Sequence, residues 1–244
     1  MCLLIVLVGV DAGYPIIVAS NRDERRGRKS APPGLFVGSR HRLLSPRDRE
    51  QGGTWIAVSE HGMFAALTNI TAEPKVEGAP SRGHLPHKAL DADDLEQAVA
   101  TITREVADGS YNAFQLLLSD GRQVRVLRHA RHELQVQTVA SRLVVLSNEH
   151  AVGQLQLPEL EPVLGAGLDL PGRFALLAPV LLQTGGAGRH AILKRGAEYG
   201  TVSSSLIGVP RSDPRQLVWE YAAGAPDAVP YRSYGNLGRR LIEP

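Results

Sequence analysis

Residues 1–24 read MCLLIVLVGVDAGYPIIVASNRDE, and this stretch predicts a β-hairpin that decides the fold. Two apolar runs, Leu3–Val10 and Ile16–Ser20, flank the turn residues Asp11-Ala12-Gly13. Short apolar runs on either side of a glycine-containing turn are typical of paired antiparallel strands. We therefore expect the chain to fold back on itself within its first two dozen residues.

This hairpin brings the single cysteine of the chain close to a charged segment. A turn centred between residues 12 and 13 pairs positions whose numbers sum to 24 or 25, so Cys2 lies across from Arg22 or Asp23. Opposed residues of antiparallel strands lie about 4.5–5.5 Å apart and share a face of the sheet. The pattern does not decide which side chain of residues 21–24 faces the sulfur, because a shift of one residue exchanges the faces.

A cysteine at position 2 gains a chemical use if Met1 is removed. Cys2 then carries the free α-amine, whose pKa of about 7.7–8.0 leaves part of it neutral and able to accept a proton. A nucleophile activated by its own amine can attack an amide or ester carbonyl. A nearby arginine would favour the thiolate, and an aspartate would hold the ammonium group by a charge-assisted hydrogen bond.

The rest of the chain reads as short strands with few helices. Helices are expected around Leu95–Val106, where apolar residues recur at helical spacing, and over Arg173–Gln183. The basic, Pro- and Gly-containing stretch Arg22–Gly53 predicts a long loop with short strands. The further predicted strands are Thr54–Ser59, Met63–Thr68, Tyr111–Ser119, Arg122–His129, Leu134–Val139, Leu143–Leu146, Thr201–Val209 and Gln216–Glu220. Many antiparallel strands with two sizeable helices indicate an α+β fold, and we expect residues 1–244 to form a single domain.

Composition excludes several classes of protein. The 244 residues are 43% hydrophobic and 21% charged with a net charge of +2, so no strong field is available to bind nucleic acid. One cysteine excludes an internal disulfide and any Cys-x-x-Cys site. The pairs His84/His87 and His129/His132 lack the other ligands of a metal centre, so no metal is expected.

The apolar run after Met1 predicts a buried strand rather than a targeting segment. It has no basic region before it or cleavage site after it, and it is far shorter than the roughly 20 residues that span a bilayer. We therefore expect a cytoplasmic protein without integral membrane association. The sequence does not indicate the oligomeric state.

Several short motifs, taken in order, resemble the NRDE family, also called the transport and Golgi organisation protein 2 family. They begin with Met1-Cys2 and Asn21-Arg22-Asp23-Glu24. The others are Ser45-Pro46-Arg47-Asp48, Gly52-Gly53-Thr54-Trp55, Ala66-Leu67-Thr68-Asn69, Ser81-Arg82-Gly83, Tyr111-Asn112-Ala113-Phe114, Leu146-Ser147-Asn148 and Tyr199-Gly200-Thr201. The resemblance implies an N-terminal-nucleophile-hydrolase-like αββα sandwich, in which two antiparallel sheets lie between helical layers.

The resemblance also implies candidate site residues, by similarity to choloylglycine hydrolases and penicillin V acylases. Cys2 would attack, Asp23 and Asn148 would orient its amine, and Asn69 would donate to the oxyanion. The full candidate set is Cys2, Asn21, Arg22, Asp23, Asn69 and Asn148 for catalysis, with Trp55, Thr68 and Arg82 for substrate binding. Trp55 is also expected in the core, and each asparagine could equally serve as a turn former.

Two positions depart from the related patterns. The arginine of those hydrolases would fall near Ser20, so Arg22 would serve from a neighbouring position. Val202 follows Tyr199-Gly200-Thr201, where the NRDE family commonly has arginine, so that positive group is either missing or replaced by Arg195 or Arg82.

Two functions are compatible with these residues. The first is cysteine-dependent hydrolysis or acyl transfer at a non-peptide amide or thioester, with no cofactor required. The alternative, which the resemblance implies, is a non-catalytic factor that binds and traffics haem, a lipid or acyl-CoA in the same pocket. No Cys-x-x-Cys-His attachment motif is present, so haem would be a reversible ligand.

Overall fold

The computed structural model describes residues 2–186 and 189–243, so Met1 lies outside the described residues. The strands of one antiparallel sheet, the nucleophile sheet, are β1 Leu3–Val8, β2 Ile16–Arg25, β10 Leu143–Ser147, β13 Tyr199–Val209, β14 Val218–Ala222 and β15 Arg232–Ser233. The strands of the other, the partner sheet, are β3 Ser30–Val37, β4 Arg42–Asp48, β5 Ile56–Ser59, β6 Phe64–Asn69, β7 Phe114–Ser119, β8 Val124–Ala130 and β9 Glu133–Val139. The strand order is β10-β1-β2-β13-β14-β15 in the nucleophile sheet and β3-β4-β5-β6-β7-β8-β9 in the partner sheet. A small separate hairpin pairs β11 Thr184–Gly186 with β12 Arg189–Ala191.

The two sheets pack face to face and carry helices on their outer faces. Leu4, Val6 and Val18 of the nucleophile sheet pack against Ile56 and Phe64 of the partner sheet. Helices α1 Leu85–Leu90 and α2 Leu95–Glu105 cover the other face of the partner sheet, and α3 Leu170–Leu181 covers the nucleophile sheet. The predicted αββα arrangement is therefore confirmed. Within the described residues, no helix has both the length and the apolar character needed to cross a bilayer.

The first hairpin has one of the two registers predicted from its turn. Leu3 pairs with Asn21 and Val8 with Ile16, so paired positions sum to 24. One step beyond the last pair, this register sets Cys2 opposite Arg22. Strand β2 is longer than expected because it continues to Arg25 through its pairing with β13.

The stretch Arg22–Gly53, for which a long loop with short strands is predicted, is mostly strand, because it contains the end of β2 and all of β3 and β4. Strand β3 is an edge strand, and its pairing with β4 shifts register between Ala31 and Gly34. The shift spans two prolines, which lack the backbone N–H that a central strand would need. The composition of the stretch indicated a loop, whereas its position at a sheet edge allows a strand.

The helix boundaries follow their capping residues. Helix α2 begins after Asp94, whose carboxylate accepts a hydrogen bond from the backbone N–H of Gln97. Helix α3 begins earlier than predicted because Asp169 caps it in the same way, through the N–H of Gly172. Sequence reasoning missed the short helix α1, which has a proline in its first turn.

A close backbone contact joins the start of β5 to the segment before α1. The backbone N–H of Thr54 donates to the carbonyl oxygen of Gly83 over 2.7 Å. A Cβ atom on Gly53 would lie 2.3 Å from the carbonyl carbon of Gly83, so this position admits no side chain without backbone movement.

We expect Gly53→Ala to lower the free energy of unfolding by about 1–3 kcal/mol, as overpacking usually does. The matched control is Gly27→Ala, because an added Cβ there meets no atom within 4 Å. Urea unfolding of both variants checks this. Equal midpoints for the two variants would contradict the described contact.

Candidate active site

A cavity of about 280 Å³ opens at the end of β2 and β6. Segment 79–83 and the residues that precede β5 form its other walls. Of the residues predicted for the site, the cavity is lined by Cys2, Arg22, Asp23, Trp55, Asn69 and Arg82. Its volume lies near the lower end of small-molecule sites, which run from about 300 to 1,000 Å³.

Cys2 is partly buried at this cavity, and its thiol donates to the backbone oxygen of Asp23 over 3.8 Å. Burial raises the pKa of the Cys2 thiol to about 11, and the negative charge of Asp23 adds to the increase. The positive charge of Arg22 acts in the opposite direction but does not offset burial. The thiol is therefore neutral near pH 7 and needs a base before it can attack.

Arg22 is a buried cation beside the cysteine, with 6% of its surface exposed. Its guanidinium carbon lies 4.3 Å from the centre of the Trp55 ring, which is a cation–π contact. Its Nη2 lies 3.5 Å from Asp48 Oδ2 and 3.7 Å from Glu24 Oε2. Its Nη1 is buried and has no hydrogen-bond partner within the described part of the chain. Because an unsatisfied buried donor costs free energy, an acceptor on a water molecule or on a ligand would be favourable at this atom.

Asp23 is held by β13, on the other side of β2. Its Oδ1 accepts a hydrogen bond of 2.7 Å from Thr201 Oγ1, and the hydroxyl of Tyr199 donates to its backbone oxygen over 2.8 Å. Thr201 is its direct partner in the sheet. Burial raises the pKa of the Asp23 carboxyl, and the Thr201 hydrogen bond partly opposes this.

Asn69 and Arg82 complete the polar wall of the cavity. Asn69 is the last residue of β6 and is half-buried. Arg82 Nη1 donates to the backbone oxygen of Ala113 over 2.7 Å, and no carboxylate of the described residues lies within ion-pair distance of this guanidinium. Burial lowers the pKa of Arg82, and the charge of Arg28 lowers it further. Arg82 is thus a cation available to an anionic ligand group.

The other predicted residues lie beside the cavity rather than in its wall. The Asn21 amide donates to the backbone oxygen of Leu181 over 2.8 Å, so this side chain points to α3 and has a structural contact. Thr68 is buried and lines a small space of about 20 Å³ that also contacts Cys2. Asn148 is 3% exposed and directly follows β10. In the pairing of β1 with β10, Leu3 lies opposite Ser147, so the next position sets Asn148 opposite Cys2, on the edge of β1 that does not face β2.

The structure distinguishes between the two arginines that could replace the one absent at Val202. Arg82 lines the cavity, whereas Arg195 is exposed and pairs with Asp227. The arginine of the related hydrolases would fall near Ser20. Arg22 lies beyond that position in the sequence, and it is the residue that the register sets opposite Cys2.

Sequence reasoning missed several polar residues of the site. Arg28 and Asp48 line the cavity and pair with each other over 2.6 Å, and Thr201 and Tyr199 hold Asp23. For Asp48, Tyr199 and Thr201 the sequence did contain a signal, because these residues belong to motifs that resemble the NRDE family. Arg28 had no such signal, since it lies in the stretch assigned to a loop.

We expect the alkylation rate of Cys2, in protein that retains Met1, to rise about tenfold per pH unit without levelling off below pH 10. Only the thiolate reacts, and the thiol pKa is about 11. Iodoacetamide labelling of this single cysteine measures the rate. Asp23→Asn should move the profile to lower pH, because it removes a negative charge near the sulfur. A plateau near pH 8.5, as for an unperturbed thiol, would contradict the described environment.

Three solved structures are similar to this fold. A conjugated bile acid hydrolase from Clostridium perfringens matches with a TM-score of 0.52 and 10% identity, over 91% of this chain and 89% of that chain. A penicillin V acylase from Agrobacterium tumefaciens matches with a TM-score of 0.55 and 12% identity, over 91% and 83%. An N-acylethanolamine-hydrolyzing acid amidase orthologue from Caenorhabditis elegans matches with a TM-score of 0.56 and 13% identity, over 86% and 93%. The fold is therefore that of N-terminal-nucleophile hydrolases.

Curated relatives are similar over a shorter stretch. The Transport and Golgi organization protein 2 homolog of Bos taurus is 36% identical over 111 residues, which are 44% of this chain and 39% of that protein. The Homo sapiens homolog is 35% identical over 112 residues, with the same two shares of 44% and 39%. The matched stretch thus spans about two fifths of the relatives' length. The family model for Transport and Golgi organisation 2 matches residues 1–160, and the chain belongs to this family.

Proposed function

We propose that this protein is a cysteine-dependent acyl-group hydrolase or acyltransferase that acts on a small non-peptide amide or thioester. The observation that carries the proposal is the arrangement of the cavity, where the Cys2 thiol shares one wall with Arg22, Asp23 and Asn69. The fold supports it, because the similar structures are named as a hydrolase, an acylase and an amidase. A fold by itself does not establish an activity, so the proposal depends on the site.

Activation of the thiol follows from its high pKa. A neutral thiol in this pocket needs a base, and removal of Met1 would supply one in the α-amine of Cys2 itself. The proton moves from Sγ to the amine as sulfur attacks the carbonyl carbon. Asp23 is close enough to hydrogen-bond the thiol through its backbone oxygen, and its carboxylate would stabilise the ammonium that forms.

Two asparagines support the attack from either side. Asn69 lines the cavity, and its amide would donate to the oxyanion of the tetrahedral intermediate. One well-aimed donor of this kind contributes about 2.7–4 kcal/mol to transition-state stabilisation. Asn148 Oδ1 is buried without a hydrogen-bond partner in the described ranges, next to Cys2 in the register. It would accept a hydrogen bond from the new amine and fix its orientation.

The reaction then proceeds through a thioester on Cys2. The carbon–nitrogen or carbon–sulfur bond of the substrate breaks, and the ammonium returns its proton to the leaving group. Water, or another nucleophile in a transfer reaction, attacks the thioester carbonyl and gives its proton to the amine. Sulfur regains a proton when the acyl group leaves, so the site returns to its starting state.

Two arginines of the cavity wall, Arg22 and Arg82, would favour an acyl donor with an anionic group. Arg22 Nη1 has no hydrogen-bond partner among the described residues, and Arg82 has no carboxylate at ion-pair distance there. A carboxylate or phosphate on the substrate would satisfy both cations by charge-assisted hydrogen bonds. The volume of about 280 Å³ restricts the bound part to a small group.

Binding and trafficking of haem, a lipid or acyl-CoA by the same cavity stays a prediction. A cysteine ligates haem iron as thiolate, and the pKa of about 11 disfavours that form here. No feature of the cavity favours this function over acyl chemistry. The Cys2→Ala variant separates the two functions, since a carrier of lipid or acyl-CoA would keep its ligand.

We expect the purified protein to lack Met1 and to gain one acyl group on Cys2 when it reacts with an activated small ester. Intact-mass and peptide-fragment spectrometry measure both changes. Cys2→Ala should abolish the adduct, and Asn69→Ala should slow its formation by about 10²–10³-fold through loss of the oxyanion donor. His84→Asn is the matched control, because His84 is exposed and does not line the cavity. Retention of Met1 in active protein, or an adduct that survives in Cys2→Ala, would contradict the proposal.

A further inference from the structure

Three potential metal ligands converge at the opposite end of β4 and β5 from the cavity. His41 directly precedes β4, and Glu60 and His61 form the turn between β5 and β6. Their ligand atoms, His41 Nδ1, Glu60 Oε1 and His61 Nε2, lie within 4.8 Å of one another. Strand β5, which runs from Ile56 to Ser59, separates this cluster from Trp55 in the cavity wall. We propose that His41, Glu60 and His61 bind a divalent transition metal such as Zn²⁺.

The distances between the three atoms suit such an ion. His41 Nδ1 lies 2.9 Å from Glu60 Oε1 and 3.0 Å from His61 Nε2. The distance from His61 Nε2 to Glu60 Oε1 is 3.7 Å, so the three atoms form a triangle. A triangle with these sides has a circumscribed radius of about 1.9 Å, just below the Zn–N and Zn–O bond lengths of about 2.0–2.2 Å. An ion slightly above its plane would therefore contact all three atoms with little side-chain movement. The two imidazole rings stand nearly perpendicular, at 82°.

The hydrogen bonds of His41 give a second argument. Its Nε2 lies 2.9 Å from Asp93 Oδ1, and because a carboxylate accepts, Nε2 of the neutral ring carries the proton. Nδ1 then presents a lone pair to Glu60 Oε1, which also accepts. Two acceptors 2.9 Å apart require a cation between them, either a proton or a metal ion. A carboxylate behind the outer nitrogen of a ligating histidine is a common arrangement around zinc.

The cluster is preorganised by the loop that carries His41. Asp91 accepts hydrogen bonds from the backbone N–H groups of Ser39, Arg40 and His41. Gly38 makes this clamp possible, since a Cβ there would lie 2.3 Å from Asp91 Oδ1. Arg40 pairs with the other oxygen of Asp93 and so holds that carboxylate against His41.

The ligand set indicates the chemical class. Two imidazoles and one carboxylate suit zinc and the borderline first-row metals better than Ca²⁺ or Mg²⁺, which prefer oxygen. Three protein ligands leave a fourth position for water. His61 is half exposed, which gives the ion a path from solvent. The metal would fasten the start of β4 to the β5–β6 turn, at a distance from the thiol chemistry.

Isothermal titration of chelator-treated full-length protein with Zn²⁺ tests the proposal. We expect one equivalent to bind, and Co²⁺ to give the intense visible bands of a tetrahedral site. His61 lies in an exposed turn, and the His61→Ala variant should no longer bind one equivalent of Zn²⁺. Asp93→Asn should weaken the affinity for Zn²⁺ by about 10–100-fold. His84→Asn, outside the cluster, should bind as the unaltered protein does. Absence of binding, which would mean that a proton occupies the position, or unchanged binding in His61→Ala, would overturn the proposal.

Discussion

The pairing of β1 with β2 is the constraint on which the rest of the site depends. Because Leu3 lies opposite Asn21, Cys2 is set across from Arg22, with Asp23 next in line. The same strand pairs on its other edge with β13, which supplies Thr201 to the Asp23 carboxylate. A shift of one residue in this pairing would turn Arg22 to the α3 side of the sheet and remove it from the cavity. Because β1 and the first part of β2 are buried on both faces, the turn between them fixes this register rather than a contrast between the faces.

The site combines a neutral nucleophile with a buried network of opposite charges. Desolvation holds the thiol in its protonated form, and the positive charge of Arg22 does not offset it. A thiol in such a pocket is protected from unselective reaction until a base and a substrate are both present. Buried ion pairs seldom add net stability, so the pair of Arg22 with Asp48 is not by itself a source of stability for the fold.

How much the sequence could predict differs between local and long-range features. The turn at Asp11-Ala12-Gly13 and the flanking apolar runs determine the first hairpin, and Asp94 with the helical spacing after it determines α2. Both depend on neighbours in sequence. The bounds and extent of β3 and β4 escaped prediction because their prolines and arginines indicate a loop with only short strands. Their position at or near the edge of a sheet is a property of the whole fold.

The same distinction applies to the site. Arg22 and Asp23 could be found, since a short hairpin brings them to Cys2. Arg28 could not, because its contact with Asp48 depends on the pairing of β3 with β4. The cluster of His41 with Glu60 and His61 also depends on β4 and β5 lying side by side. The spacing of histidines along the chain, which singles out His84/His87 and His129/His132, carries no information about such a contact.

A crystal structure of the protein after reaction with a small activated acyl compound would show whether Cys2 is the nucleophile of this cavity. We expect electron density continuous from Sγ into the cavity, with the acyl oxygen at hydrogen-bond distance from the Asn69 amide and a free amine on Cys2 beside Asp23. Density that leaves Sγ for bulk solvent, or an acyl group held on another residue while Cys2 is unmodified, would contradict it.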